Sequence, residues 1–161
     1  YWEQVVLMND YQAHRFVRKM LAAMFNTVAE KEIAILGFAF KSDTGDTRES
    51  PAISVCTLLL NEWANLRVYD PKAMENAKRD LADAKGRVRF CSSEYEAAEG
   101  ADALVLLTDW KQFRELDYQK IYALMRQPAF LFDGRNVLDH KALHELGFNV
   151  YPIGRPALTH F

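Results

Sequence analysis

Ile33-Ala-Ile-Leu-Gly-Phe-Ala-Phe-Lys-Ser-Asp-Thr-Gly-Asp-Thr-Arg-Glu-Ser-Pro51 decides the reading of this chain. An apolar run, Ile33–Phe40, reads as a buried strand. A charged loop follows, and then Ser50-Pro51 opens a helix, with Ser50 as N-cap and Pro51 at its first position. Lys41, Asp43, Asp46, Arg48 and Glu49 stand within nine positions of one another, which core packing does not require. An apolar strand that ends in such a cluster places charge at the edge of a sheet, where ligands sit.

Outward from this stretch the pattern alternates. Helix is expected over Pro51–Trp63, from about Lys72 to Ala84, and over Ser93–Ala98, Trp110–Met125 and Asp139–Leu146. Strands are expected at Leu66–Tyr69, Val88–Cys91, Ala103–Leu107, Ala129–Phe132 and Phe148–Pro152. Strands that are apolar on both faces and alternate with helices indicate an α/β fold: a doubly wound, Rossmann-like, mainly parallel six-stranded sheet. Right-handed crossovers give the strand order 3-2-1-4-5-6.

Before the sheet, Phe16, Val17, Met20, Leu21, Met24, Phe25 and Val28 recur at helical spacing. A helix from Tyr1 to about Val28 would be ~40 Å long. Two readings stand open: a connecting or oligomerising helix, or one that folds back on its own domain. The chain divides accordingly into residues 1–29, the end of a long helix, and residues 30–161, the sheet domain.

Bulk composition narrows the function. The 161 residues are 50% hydrophobic and carry a formal net charge of -2. That suits one well-cored domain and makes a poor general nucleic-acid binder. No apolar run approaches the ~20 residues of a membrane span. The first residues, Tyr1-Trp2-Glu3, do not form a signal peptide. With no initiator Met, the chain reads as a piece of something longer. The two cysteines, Cys56 and Cys91, fit no CxxC or metal spacing and read as ordinary buried thiols of a reduced cytoplasmic protein.

The loops at the carboxyl ends of the strands are the candidate site: Lys41–Glu49, Asp70-Pro71, Thr108-Asp109-Trp110 and Asp133-Gly134-Arg135. A dinucleotide-binding turn needs G-x-G-x-x-G. Gly37 is followed instead by Phe38, Ala39 and Phe40, so a simple NAD half-site is disfavoured. Lys41 and Arg135 end two different strands and can converge on an anion, each charge-assisted bond contributing ~1.5–3 kcal/mol. Phe40 could pack on a base or sugar. Asp43, Asp46 and Glu49 lack a calcium-loop pattern and read as scaffolding paired with Lys41 and Arg48. Arg48 sits at a helix N-terminus, where a cation is disfavoured, which hints at a reach toward another domain. His140 and His144, four apart, lack the Glu of a zinc-protease helix and read as solvent-facing. Trp63 and Trp110 read as packing residues, and Lys72–Arg89 as a solvated face. No catalytic residue and no metal site is legible.

Gly37-Phe-Ala-Phe-Lys-Ser-Asp-Thr-Gly-Asp-Thr-Arg-Glu-Ser50 closely resembles the start of the carboxy-terminal UDP-binding domain of the UDP-glucose 6-dehydrogenases, within the UDP-glucose/GDP-mannose dehydrogenase family. The resemblance continues through Val68–Lys72, Tyr95–Ala97, Ala103–Trp110, Phe113–Asp117 and Phe130–Arg135. Tyr1-Trp2, Met8–Gln12 and Leu21–Val28 resemble the family's long central helix. Thr44-Gly-Asp-Thr-Arg48 is similar to the UDP-glucose branch; GDP-mannose and UDP-N-acetylmannosamine dehydrogenases usually carry Asp-Asp-Leu-Arg there. Those relatives, and a free-standing nucleotide-binding regulatory module, remain the alternatives. The resemblance implies oxidation of UDP-glucose to UDP-glucuronate with two NAD, by an enzyme whose catalytic Cys and NAD domain precede this chain. The piece itself is then expected to be inactive. It also implies that Phe40, Lys41 and Arg135 bind the UDP-sugar, that Arg48 contacts the NAD of the amino-terminal domain, and that a homodimer forms through the long helix.

Overall fold

The structure, a computed structural model, describes residues 10–39, 45–47, 50–84 and 86–161. A six-stranded parallel sheet runs in the order β3-β2-β1-β4-β5-β6, as the alternating pattern predicts. Its strands are β1 (Glu32–Leu36), β2 (Asn65–Tyr69), β3 (Val88–Phe90), β4 (Ala103–Leu106), β5 (Phe130–Asp133) and β6 (Asn149–Pro152). The helices are α1 (Asp10–Ala23), α2 (Pro51–Asn61), α3 (Met74–Asp80), α4 (Glu94–Ala98), α5 (Lys111–Arg114), α6 (Tyr118–Leu124) and α7 (His140–Leu146).

Side chains alternate across each strand, so the sheet buries two separate layers. Phe90, Val68, Ile35, Val105, Phe132 and Tyr151 form one row across all six strands. That face packs under α1, α2 and α3. Ala34, Leu36, Leu104, Leu106, Leu131 and Val150 face the opposite layer, with Phe113 of α5, Tyr118 and Ile121 of α6 and Leu143 of α7. Burying apolar area at ~25 cal/mol per Å² is the main stabilising term on both faces.

The described part of the first helix folds back on the sheet. Ala13, Phe16, Val17 and Met20 of α1 are buried, and Phe16 meets Phe132 edge-on at 6.4 Å. The helix ends at Ala23 because Phe25 and Asn26 take φ of 62° and 69°. The Asn26 amide then bonds Leu21 O, and Lys31 Nζ bonds Met24 O. The apolar spacing runs on through Met24 and Val28 because the turn still delivers both to the core.

The expected Trp110–Met125 helix is two helices. Asp117 interrupts it and caps the second, accepting from the Lys120 amide at 3.1 Å. Trp63, expected to pack, stands at φ 67° and is 63% exposed, with the Arg87 guanidinium 4.9 Å above its ring. Arg87 in turn is no free member of a solvated face: it donates to Leu60 O and Ala64 O.

A buried-aspartate cage at the sheet edge

The site is built where β1 ends. Gly37 has φ +97°, and a Cβ there would fall 2.6 Å from the Thr108 Cβ. Only glycine lets the chain turn against β4 at this point. The Gly37 amide donates to Tyr69 O, and the Thr108 hydroxyl to Ala39 O.

Asp70, the residue after β2, organises this turn. Its carboxylate is fully buried and accepts five N–H groups. Oδ2 takes the amides of Phe38 at 2.7 Å and Ala39 at 2.9 Å and the Trp110 indole at 3.2 Å. Oδ1 takes the amides of Lys72 and Ala73. One carboxylate thus joins the turns after β1, β2 and β4.

The loop after β1 is held further on. Ser50, buried, donates to Phe38 O and caps α2 by accepting from the Ala52 amide. Thr47 donates to Asp80 Oδ2 at 2.6 Å, and Asn76 donates to Gly45 O. Phe40, Lys41 and Arg48, the expected ligand contacts on this loop, lie outside the described residues. So do Asp43 and Glu49, two of the three expected scaffolding acids.

A second buried carboxylate, Asp133, ends β5. Oδ1 accepts the Arg135 amide at 3.0 Å, while Oδ2 accepts the amides of Val137 and Leu138. His140 Nε2 lies 2.8 Å from the same Oδ2, and its side chain is only 10% exposed. His140 is therefore not solvent-facing, because Asp133 draws it inward. His144 is tied down as well, by Thr159 O and by a ring stack on His160 at 4.1 Å. Arg135 is exposed at the sheet edge, its Nη1 3.5 Å from Leu107 O. Gly134 bonds Leu106 O, so the Arg135 turn is anchored to the end of β4, beside Thr108.

Neither hub was anticipated from the sequence. The signal was an Asp directly after an apolar strand followed by Pro71 or Gly134, since Asp side chains accept from amides two or three residues on. Such a position is easily taken for a ligand contact. In dinucleotide-binding sheets an acid near the end of the second strand bonds a ribose. Asp70 is already filled by protein donors, and side chains follow Gly37. This sheet edge does not fit a dinucleotide of its own.

Among the described residues neither thiol is set up for covalent chemistry. Burial pushes the Cys56 and Cys91 thiols up, so both are protonated and inert. Burial, followed by the charge of Glu94, also raises Tyr69. Among the described residues no cluster of three or more His, Cys, Asp and Glu could hold a metal. Among the described residues the arrangement is a hydrogen-bonded frame around Asp70 and Asp133 with Arg135 exposed at its edge, which suits binding rather than bond-making.

Residues 34–140 match the UDP-glucose/GDP-mannose dehydrogenase family, UDP binding domain. The chain belongs to the UDP-glucose/GDP-mannose dehydrogenase family. It is 50% identical to UDP-glucose 6-dehydrogenase 1 of Glycine max, over 97% of this chain and 36% of that protein. Among solved structures it is similar to a UDP-glucose dehydrogenase from Pyrobaculum islandicum, with a TM-score of 0.68 and 28% identity over 87% of this chain and 30% of the other. The UDP-D-ManNAc dehydrogenase of Pyrococcus horikoshii aligns with a TM-score of 0.70 and 31% identity, over 91% of this chain and 31% of the other. The chain thus spans about a third of the length of the curated relatives it matches, 36%.

Proposed function

We propose that this chain is the UDP-sugar-binding portion of a UDP-glucose 6-dehydrogenase, which oxidises UDP-glucose to UDP-glucuronate with two NAD. The observation that carries the reading is that the matched residues, 34–140, contain both arms of the sheet-edge site: the turn caged by Asp70 and the Arg135 turn caged by Asp133. Phe40 and Lys41, which follow the caged Ala39 in sequence, and Arg135 bind the UDP-sugar. Arg48 reaches NAD, which belongs to an amino-terminal domain outside this chain. The inert thiols and the poor fit of this sheet to a dinucleotide support placing the nucleophile and the cofactor there.

Residues 1–29 are, on this reading, the end of a central helix that pairs two protomers, and residues 30–161 the UDP-sugar domain. A groove of about 690 Å³ beside α1, lined by Arg15, Lys19 and Ala22 and by Tyr151 and Ile153, supports a partner helix there. A cytoplasmic location is consistent with two free buried thiols. Among the described residues no helix is long and apolar enough to cross a membrane.

Calorimetry of this chain with UDP tests the reading. UDP binds, and Lys41→Ala and Arg135→Ala each weaken binding ~10-fold or more, the loss of one charge-assisted bond. Equal binding by wild type and both variants would remove the site. GDP binding as tight as UDP would move the reading to the GDP-mannose branch. NADH formation by this chain alone would contradict a nucleophile located elsewhere.

A further inference from the structure

We infer that His140, acting through the buried Asp133 carboxylate, is a positioning residue for Arg135. The inference rests on the reading of Arg135 as a UDP-sugar contact.

An ionised carboxylate only accepts, so His140 Nε2 carries the proton in its 2.8 Å bond to Asp133 Oδ2. Asp133 is fully buried, and a buried carboxylate persists only when its oxygens are well supplied with donors. The amides on Oδ2, from Val137 and Leu138, belong to the same short loop as Arg135. They move with it. His140 is the first residue of α7, so its ring ties the carboxylate to a helix outside that loop. With Oδ2 held by the imidazole, the carboxylate plane is set, and Oδ1 is aimed at the Arg135 amide.

Arg135 needs that support. It is exposed, and its guanidinium has a long 3.5 Å contact to Leu107 O. Its aim is therefore set chiefly by its backbone. The neighbours on either side are pinned: Gly134 bonds Leu106 O, and Asn136, at φ 57°, donates to Ile153 O. Asp133 fixes the residue between them. Loss of the ring frees the carboxylate to rotate and lets the Arg135 turn spread over several conformations, which weakens binding without touching the ligand.

A double-mutant cycle on UDP binding by this chain tests the idea, with thermal melts to confirm that each variant is folded. His140→Ala weakens UDP binding ~3–10-fold, and Arg135→Ala weakens it ~10-fold or more. His140→Gln, which keeps an N–H donor, recovers binding to within ~2-fold of wild type. The double variant His140→Ala/Arg135→Ala binds no more weakly than Arg135→Ala, because the histidine acts only through the arginine. Unchanged binding by His140→Ala, no recovery by His140→Gln, or losses that simply add overturns the positioning role while leaving Arg135 in the site. Wild-type binding of UDP unaffected by Arg135→Ala, or no binding at all, overturns the site and the positioning role together.

Discussion

The indole Nε1 of Trp110 donates to Oδ2 of Asp70 at 3.2 Å, which ties the turn after β4 to the carboxylate that cages the end of β1. Trp110 is itself 5% exposed. It starts α5 with extended backbone, φ -82° and ψ 134°, rather than as a helical residue. Its ring is committed to Asp70, so the helix can begin only at Lys111.

Trp110→Phe removes the N–H and keeps only part of the indole's volume, so a packing loss adds to the loss of the bond. The charged acceptor stays buried with four backbone donors. Loss of one hydrogen bond to a charged group costs ~1.5–3 kcal/mol. Equilibrium urea unfolding should show that loss. A change below ~0.5 kcal/mol, the range of a neutral surface substitution, would mean that the indole bond contributes little.

Gly37 and Gly86 separate strain from crowding. Both have positive φ, +97° and +80°. A Cβ at Gly86 meets nothing within 4 Å, whereas one at Gly37 meets Thr108 at 2.6 Å. Gly86→Ala should therefore cost only the left-handed backbone term, ~1–2 kcal/mol. Gly37→Ala adds overpacking against a fixed strand end and should cost ~3 kcal/mol or more. Equal losses in urea melts of the two variants would contradict the close packing of β1 on Thr108.

The alternation that made the sheet legible is a local property. Ile33 to Leu36 are apolar at every position, so a strand buried on both faces follows directly, as does the crossover order. Ser50-Pro51 and Ser93 marked helix starts because capping is also local. What the sequence hid depends on which way a side chain turns and, for Asp70, on partners more than thirty residues away. Asp70 and Asp133 look like ligand contacts until amides from Phe38, Ala39, Val137 and Leu138 are seen filling them. His140 looks like a surface residue until Asp133 is seen beneath it. The end of α1 was hidden by residues that stay apolar past the turn, since Met24 and Val28 are buried whether or not the helix continues.

Burial raises both thiols, Cys56 by desolvation alone and Cys91 by desolvation followed by the Glu96 charge. Neither should react with a thiol reagent in the native chain at neutral pH, and both should react in denaturant. Following colour release by an aromatic disulfide reagent checks this. Rapid reaction of one thiol per native chain would show that α2 or the end of β3 opens far more often than its packing allows.

Glu96 makes acid stability a local question. Its Oε1 accepts the Ser92 amide and hydroxyl, both at 2.7 Å, and Oε2 accepts from Arg89 at 3.0 Å. Ser93 Oγ accepts the Glu96 amide in return, which closes the start of α4. The bonds from Ser92, then that from Arg89, hold the Glu96 carboxyl below its ordinary value of 4.5. A carboxylate lowered in the folded state contributes its full stability above the unfolded value, and loses it as pH falls through the folded one. Wild type should therefore be more stable than Glu96→Gln at pH 7, and the difference should close below about pH 4.5, as the carboxylate protonates. Because the group is exposed, added salt should shrink the Arg89 share and leave the Ser92 share. Urea midpoints of the two proteins from pH 7 down to pH 3, at low and high salt, measure both effects. A difference that persists unchanged at pH 3 would assign the loss to helix capping geometry rather than to the charge.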